Sequence, residues 1–212
     1  MLLPVGDEIP RRTFPYLNVA LVLTNIVIFV AMAVRPDYPT LVHAYGFIPA
    51  QWTWTSLVTS MFLHGGLLHL AGNMLFLSVL GDNVEDRYGH VTYLFFYVFC
   101  GIAAAFAHLA FSPGADAHMP AIGASGAISG VLGAYFILFP FHQMKMLVFV
   151  IPVRVHAAVA IGLWIATQWL LVSAEREGRA TGVAVWAHLG GFAFGAAVTL
   201  VLRLSRRLAR PR

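Results

Sequence analysis

Long apolar runs separated by short polar segments dominate this chain. A helix needs about 20 apolar residues to cross the hydrocarbon core of a bilayer. Six runs approach that length: residues 16–34, 67–80, 90–111, 125–139, 155–172 and 183–202. They predict six transmembrane helices in an all-α, polytopic bundle. The second and fourth runs are short. The apolar stretch at 146–151 is expected to extend the fifth through Pro152. No internal repeat is visible, so the chain reads as a single membrane domain, 1–212, with a basic tail at 203–212.

Composition supports this. Of 212 residues, 59% are hydrophobic and 10% are charged, with a mean hydropathy of +0.79. Ordinary soluble domains carry about 25% charged residues. Lys and Arg also sort by side. With the N-terminus inside, the inner segments hold Arg11, Arg12, Arg87, Lys145, Arg154, Arg203, Arg206, Arg207, Arg210 and Arg212. The outer loops hold only Arg35, Arg176 and Arg179. This bias places both termini in the cytoplasm, in what is expected to be a prokaryotic cell (inner) membrane. The basic tail suits an anionic bilayer surface, whereas a nucleic-acid partner would need a basic face on a folded soluble domain. No cleavable signal peptide is expected: a span-length apolar run follows Arg11 and Arg12, without a small-residue cleavage site. The lone Cys100 excludes an intrachain disulfide and reads as a small core residue.

The first outer loop, roughly 35–66, carries Tyr38, Tyr45, Phe47, Trp52 and Trp54. Aromatic residues favour the interface, so this loop is expected to lie on or partly within the outer leaflet.

Polar residues inside spans are costly and mark functional sites or helix contacts. Ser125 opens a helix roughly 22 Å long, too short for a core of about 30 Å, so it lies below the outer surface. His188 lies roughly 7 Å past the outer start of the sixth span. His69, counted from an inner end at Asp82, comes out about 10 Å below the outer face, with Asn73 one turn deeper on the same side. Gly126 and Gly130 form one GxxxG face, and Gly191 and Gly195 form another. Such faces permit close helix approach, and packing them together would bring Ser125 within hydrogen-bond reach of His188.

A serine hydroxyl needs a base to become an effective nucleophile, and His188 is the natural one. No Asp or Glu lies in the predicted spans, so the pattern is a dyad without a carboxylate. The backbone N–H of Ser125 at a helix start, with His69 and the Asn73 amide, forms a candidate oxyanion hole. Taken singly, the bland readings are packing for the serine and glycines and an interhelical hydrogen bond for Asn73. Their matched depth is what favours catalysis.

These residues resemble the rhomboid family of intramembrane serine proteases. Gly123-Ala124-Ser125-Gly126 fits the family's GxSG nucleophile motif, and His188 with Gly191 and Gly195 is similar to its base helix. The segment from His64 to Asn73 resembles its second-span motif, and the likeness runs from about Trp54 to Gly195, through Glu85-Asp86-Arg87-Tyr88-Gly89. The resemblance implies a Ser125–His188 dyad, oxyanion stabilisation by His69 and Asn73, and a supporting role for His64. It implies transmembrane protein substrates, a small residue before the cut, and no metal or cofactor. Two positions depart from the pattern. Ser129 stands where many members carry an aromatic residue that packs on the base, and Thr55 follows Trp54 where some have Arg. Glu85 and Arg87 read as capping or pairing residues of the inner loop. Substrate entry is expected beside the fifth span, where Trp164 and Trp169 are bulky gate candidates.

Other classes fit less well. A transporter coupled to protons or cations usually uses intramembrane carboxylates or repeated halves. A zinc hydrolase using His64, His69 and His188 would lack HExxH and a carboxylate base. A catalytically dead client-binding relative conflicts with the presence of both Ser125 and His188.

Overall fold

The computed structural model describes residues 2–112, 116–179 and 181–205. The basic-tail residues Arg206, Arg207, Arg210 and Arg212 lie outside them. Five helices have the length and apolarity of membrane spans: α1 (Tyr16–Ala33), α4 (Leu67–Tyr88), α5 (His90–Phe111), α7 (Ala157–Arg176) and α8 (Val185–Leu204). A sixth apolar helix, α6 (Ser125–Leu138), has 14 residues. Two short helices, α2 (Tyr38–Tyr45) and α3 (Trp54–Thr59), lie in the loop after α1. The chain is a multi-pass, mainly helical membrane protein.

α6 is the central element. Its residues from Gly126 to Tyr135 are all buried, against α4, α5 and α8. The two glycine faces lie against each other. A Cβ on Gly191 would sit 2.1 Å from the Gly126 carbonyl oxygen, and one on Gly195 would sit 2.1 Å from that of Gly130. Backbone therefore meets backbone along this seam, which only glycine permits. Gly130 also lies against Cys100 of α5, which is fully buried.

α4 runs to Tyr88, beyond the expected end at residue 80. The glycine and charged residues after Leu80 do not stop it, because each finds a use in packing or capping. Gly81 admits the Asn18 side chain of α1, whose Oδ1 would lie 2.0 Å from any Cβ there. The fully buried Glu85 accepts from the backbone N–H groups of Leu17 (3.0 Å) and Asn18 (2.7 Å) and pairs with His90. It caps α1 from a neighbouring helix, where the unpaired N–H groups and the helix dipole favour a negative charge. Glu85 and Arg87 thus sit in the last turns of α4, not in a loop, and Arg87 lies over the Phe139 ring.

The stretch at 146–151 does not extend the fifth span. It belongs to a hairpin of β2 (Gln143–Val148) and β3 (Ile151–His156), and β2 also pairs antiparallel with β1 (Leu2–Asp7). Gln143 and Lys145 are exposed while Met144 and Met146 are buried, a two-residue period that a helix cannot satisfy. Pro152 is tolerated because β3 is an edge strand. Asp7 ties β1 to the bundle, accepting from Asn83 of α4 (2.5 Å) and Tyr135 of α6 (2.9 Å).

Candidate active site

α6 and α8 position the serine and histidine. Ser125 is the first residue of α6, and His188 lies in the first turn of α8. With the glycine seam fixing the distance between the helices, Ser125 Oγ and His188 Nε2 are 2.8 Å apart. Both side chains are half-buried. Behind Ser125 is a small cavity of about 40 Å³ whose lining includes Met61, Ala104 and His108. That volume can hold a water molecule.

Gly123 shapes the approach to the serine. Its φ of +119° is a conformation that side-chain-bearing residues rarely adopt. A Cβ there would also lie 2.7 Å from His69 Nε2 and 3.5 Å from Asn73 Nδ2. The α4 residues His69 and Asn73 therefore converge on the backbone just before the nucleophile candidate. Asn73 Nδ2 is buried and has no hydrogen-bond partner among the described residues. His69 is exposed, and its Nδ1 accepts a long bond from the Gly65 N–H (3.4 Å). That tautomer leaves Nε2–H free to donate beside Gly123. The N–H groups of the first α6 turn lack intrahelical acceptors, so Ser125 adds a backbone donor to the same region.

His64 is fully buried, its ring edge-on to His69 at 5.1 Å. Its carbonyl accepts from the Tyr38 hydroxyl at 2.5 Å, which anchors α2 of the first loop. That loop also holds the segment leading to Ser125. Phe47 and Ala121 exchange backbone bonds of 3.0 and 2.8 Å, and Gly123 N–H donates to Ser60 (2.9 Å). Trp52 packs edge-on against Phe106 of α5, whereas Trp54 is exposed.

Among the described residues, Ser129 makes no hydrogen bond to the imidazole. Its hydroxyl donates to the Ser125 carbonyl at 2.7 Å, within α6. Two α7 residues hold the ring instead. Trp164 lies against it with centroids 6.1 Å apart, and the buried Gln168 places Oε1 2.9 Å from His188 Nδ1. Sequence reasoning passed over Gln168, although it is the only carboxamide in the run 155–172. It is also one turn after Trp164, on the same helix face. Trp169, the other gate candidate, is 53% exposed. Among the described residues, no three His, Cys, Asp or Glu side chains converge as a metal-ligand set.

Fold and site together define a polytopic helical membrane protein with a serine–histidine pair between two of its helices. Residues 51–205 match the family profile described as the Rhomboid domain, and the chain belongs to the rhomboid family. It is 32% identical over 194 residues to Rhomboid protease GluP of Bacillus subtilis (strain 168), a match covering 90% of this chain and 36% of that protein. It is 31% identical over 150 residues to RHOMBOID-like protein 4 of Arabidopsis thaliana, covering 69% and 33%. With Rhomboid protein 1, mitochondrial, of Saccharomyces cerevisiae it shares 33% identity over 149 residues, covering 66% and 39%. The chain spans between 33% and 39% of the length of these curated relatives.

Proposed function

We propose that this chain is a serine endopeptidase that cleaves other membrane proteins within or beside their transmembrane segments. The observation that carries the reading is the 2.8 Å approach of Ser125 Oγ to His188 Nε2. Asn73 Nδ2, which has no partner among the described residues, and the His69 ring beside Gly123 add to it. The name of the Bacillus subtilis relative, a rhomboid protease, supports the same class.

In this reading His188 Nε2 takes the Ser125 proton as Oγ attacks the scissile carbonyl carbon. The oxyanion that forms is met by the Ser125 backbone N–H, Asn73 Nδ2 and His69 Nε2–H. Collapse breaks the C–N bond, and His188 returns its proton to the leaving amine. Water, activated by the same base, then hydrolyses the acyl-enzyme and restores Ser125. The chain works as one membrane domain with both termini cytoplasmic. Substrate reaches the site from the bilayer, beside α7.

The test is cleavage of a generic single-span substrate by purified protein in liposomes, with Ser125→Ala and His188→Ala, each with and without EDTA. The expected result is cleavage lost in both variants and unaffected by EDTA. EDTA-sensitive cleavage that survives Ser125→Ala would replace the dyad with a metal site. A well-folded wild type that cleaves none of several substrates would favour a client-binding protein.

A further inference from the structure

We infer that Gln168 is the positioning residue of the base: it holds His188 in the one neutral tautomer able to accept the serine proton. This rests on the protease reading above and extends it to a third side chain, from a third helix.

An amide buried in a membrane helix is costly unless its polar atoms find partners. Gln168 is 5% exposed, and among the described residues the ring nitrogen it meets is His188 Nδ1. Which end of the amide faces the ring is set by the next link. Thr167 Oγ1 donates to the Trp164 carbonyl at 2.6 Å, so toward Gln168 the hydroxyl oxygen acts as acceptor. Gln168 Nε2 donates to that oxygen at 3.4 Å, so Oε1 is turned toward the imidazole. A carbonyl oxygen only accepts, so Nδ1 carries the hydrogen. In the neutral ring Nε2 then holds a lone pair, and that lone pair faces Ser125 Oγ. The donors run in one direction, from Ser125 to His188 to Gln168 to Thr167 to the Trp164 carbonyl.

The opposite tautomer would put N–H against Ser125 Oγ, where it could not take a proton. A buried carboxylate commonly enforces the productive tautomer. Here a neutral amide does so without placing a charge in the membrane interior. When His188 becomes an imidazolium, Nδ1–H stays bonded to Oε1 while Nε2 carries the transferred proton. Trp164, one turn before Gln168, lies against the ring and limits its rotation. Because both residues belong to α7, the orientation of the base depends on that helix being seated against α8.

The experiment uses the full chain in liposomes with a single-span reporter. Gln168→Leu and Gln168→Met keep the size but lose the acceptor, whereas Gln168→Glu keeps an acceptor oxygen. A packing role would tolerate Leu or Met at least as well as Glu. The orienting role predicts the reverse order. We expect kcat to fall about 10- to 100-fold in Leu and Met, with KM nearly unchanged, and Glu to remain within about threefold of wild type. Nitrogen-15 NMR of labelled histidine should show His188 protonated at Nδ1 in wild type and Glu, and a mixture of tautomers in Leu and Met. Having both apolar variants guards against one that fails to fold.

Leu and Met variants that keep wild-type kcat, or lose it with no change in tautomer, would overturn the inference. An active, Ser125-dependent wild type alongside that result would leave the protease reading standing. An inactive wild type that shows the tautomer shift would overturn the protease reading but leave the role of Gln168.

Discussion

Replacing Gly195 with alanine tests whether the α6–α8 seam sets the distance between serine and histidine. The new Cβ would sit 2.1 Å from Gly130 O and 2.6 Å from both Gly130 C and Cα. All three atoms are backbone, so no side-chain rotation relieves the clash. Restoring ordinary contact requires α8 to move away from α6 by roughly 1 Å or more. Gly195 is two helical turns below His188 on the same face, so the displacement carries to the imidazole. The 2.8 Å approach of Nε2 to Ser125 Oγ then stretches beyond hydrogen-bond length. A misplacement of about 1 Å costs on the order of 100-fold in rate, and overpacking of this kind costs about 1–3 kcal/mol of stability.

Gly162→Ala is the matched control. Gly162 lies within α7, and nothing is within 4 Å of a Cβ built there. Alanine at that position should stabilise the helix by about 0.5–1 kcal/mol. The assay pairs cleavage of a single-span reporter with thermal melting in detergent. A Gly195→Ala protein with wild-type kcat and wild-type Tm would refute the argument that backbone contact fixes the dyad.

Three further outcomes are expected. Asn73→Ala should lower kcat by about 100- to 1,000-fold, as loss of an oxyanion donor does. Its Tm should barely change because Nδ2 has no partner among the described residues to lose, and an unchanged kcat would remove Asn73 from the site. Glu85→Ala leaves the Leu17 and Asn18 N–H groups uncapped and should cost about 2–4 kcal/mol, read as a lower Tm; a wild-type Tm would refute the cap. Burial raises the Asp7 carboxyl above its ordinary value, against the lowering effect of the Tyr135 hydrogen bond. The folded chain therefore holds that proton more tightly than the unfolded chain, so its contribution to stability grows as pH falls through the interval between the two values. The Tm of wild type minus that of Asp7→Asn should rise as pH is lowered from 7 to 4, and a difference independent of pH would refute it.

The helical frame was legible because crossing a bilayer demands runs of one length and one polarity. Run 90–111 coincides with α5, and runs 16–34, 155–172 and 183–202 correspond to helices with ends displaced by one to four residues. What sequence reasoning missed depends on partners distant in the chain. β1 pairs with β2 across more than 130 residues, and only the Gln143–Met146 alternation hinted at a strand. The end of α4 was misplaced because Gly81 and the acidic residues after it look like a stop signal. In the structure that glycine admits Asn18 and Glu85 caps α1. Ser125, His188, His69 and Asn73 stood out as polar residues at related depths, whereas Gln168 did not. Its partner is 20 residues away on another helix, and no local spacing announces such a pair.

The candidate site divides its geometry among helices of different attachment. The spacing of Ser125 and His188 comes from glycine backbones that meet without side chains between them, on a helix buried without interruption from Gly126 to Tyr135. The donors beside Gly123 come from α4, which is fixed to α1 through Glu85 and Asn18. The ring contacts come from α7, where only Ala157, Ala160, Ile161, Gln168 and Val172 are buried. Trp164, a gate candidate from the sequence, lies against both His188 and Phe192 of α8 and forms a wall of the base. Entry of a substrate beside α7 would therefore disturb the ring contacts first and the serine–histidine seam last. On the proposed route of entry, Ser125 would stay in place while the helix that contacts the His188 ring moved. A disulfide locking α7 to α4 should then slow entry while preserving the His188 tautomer, so that gating and orientation separate in one variant.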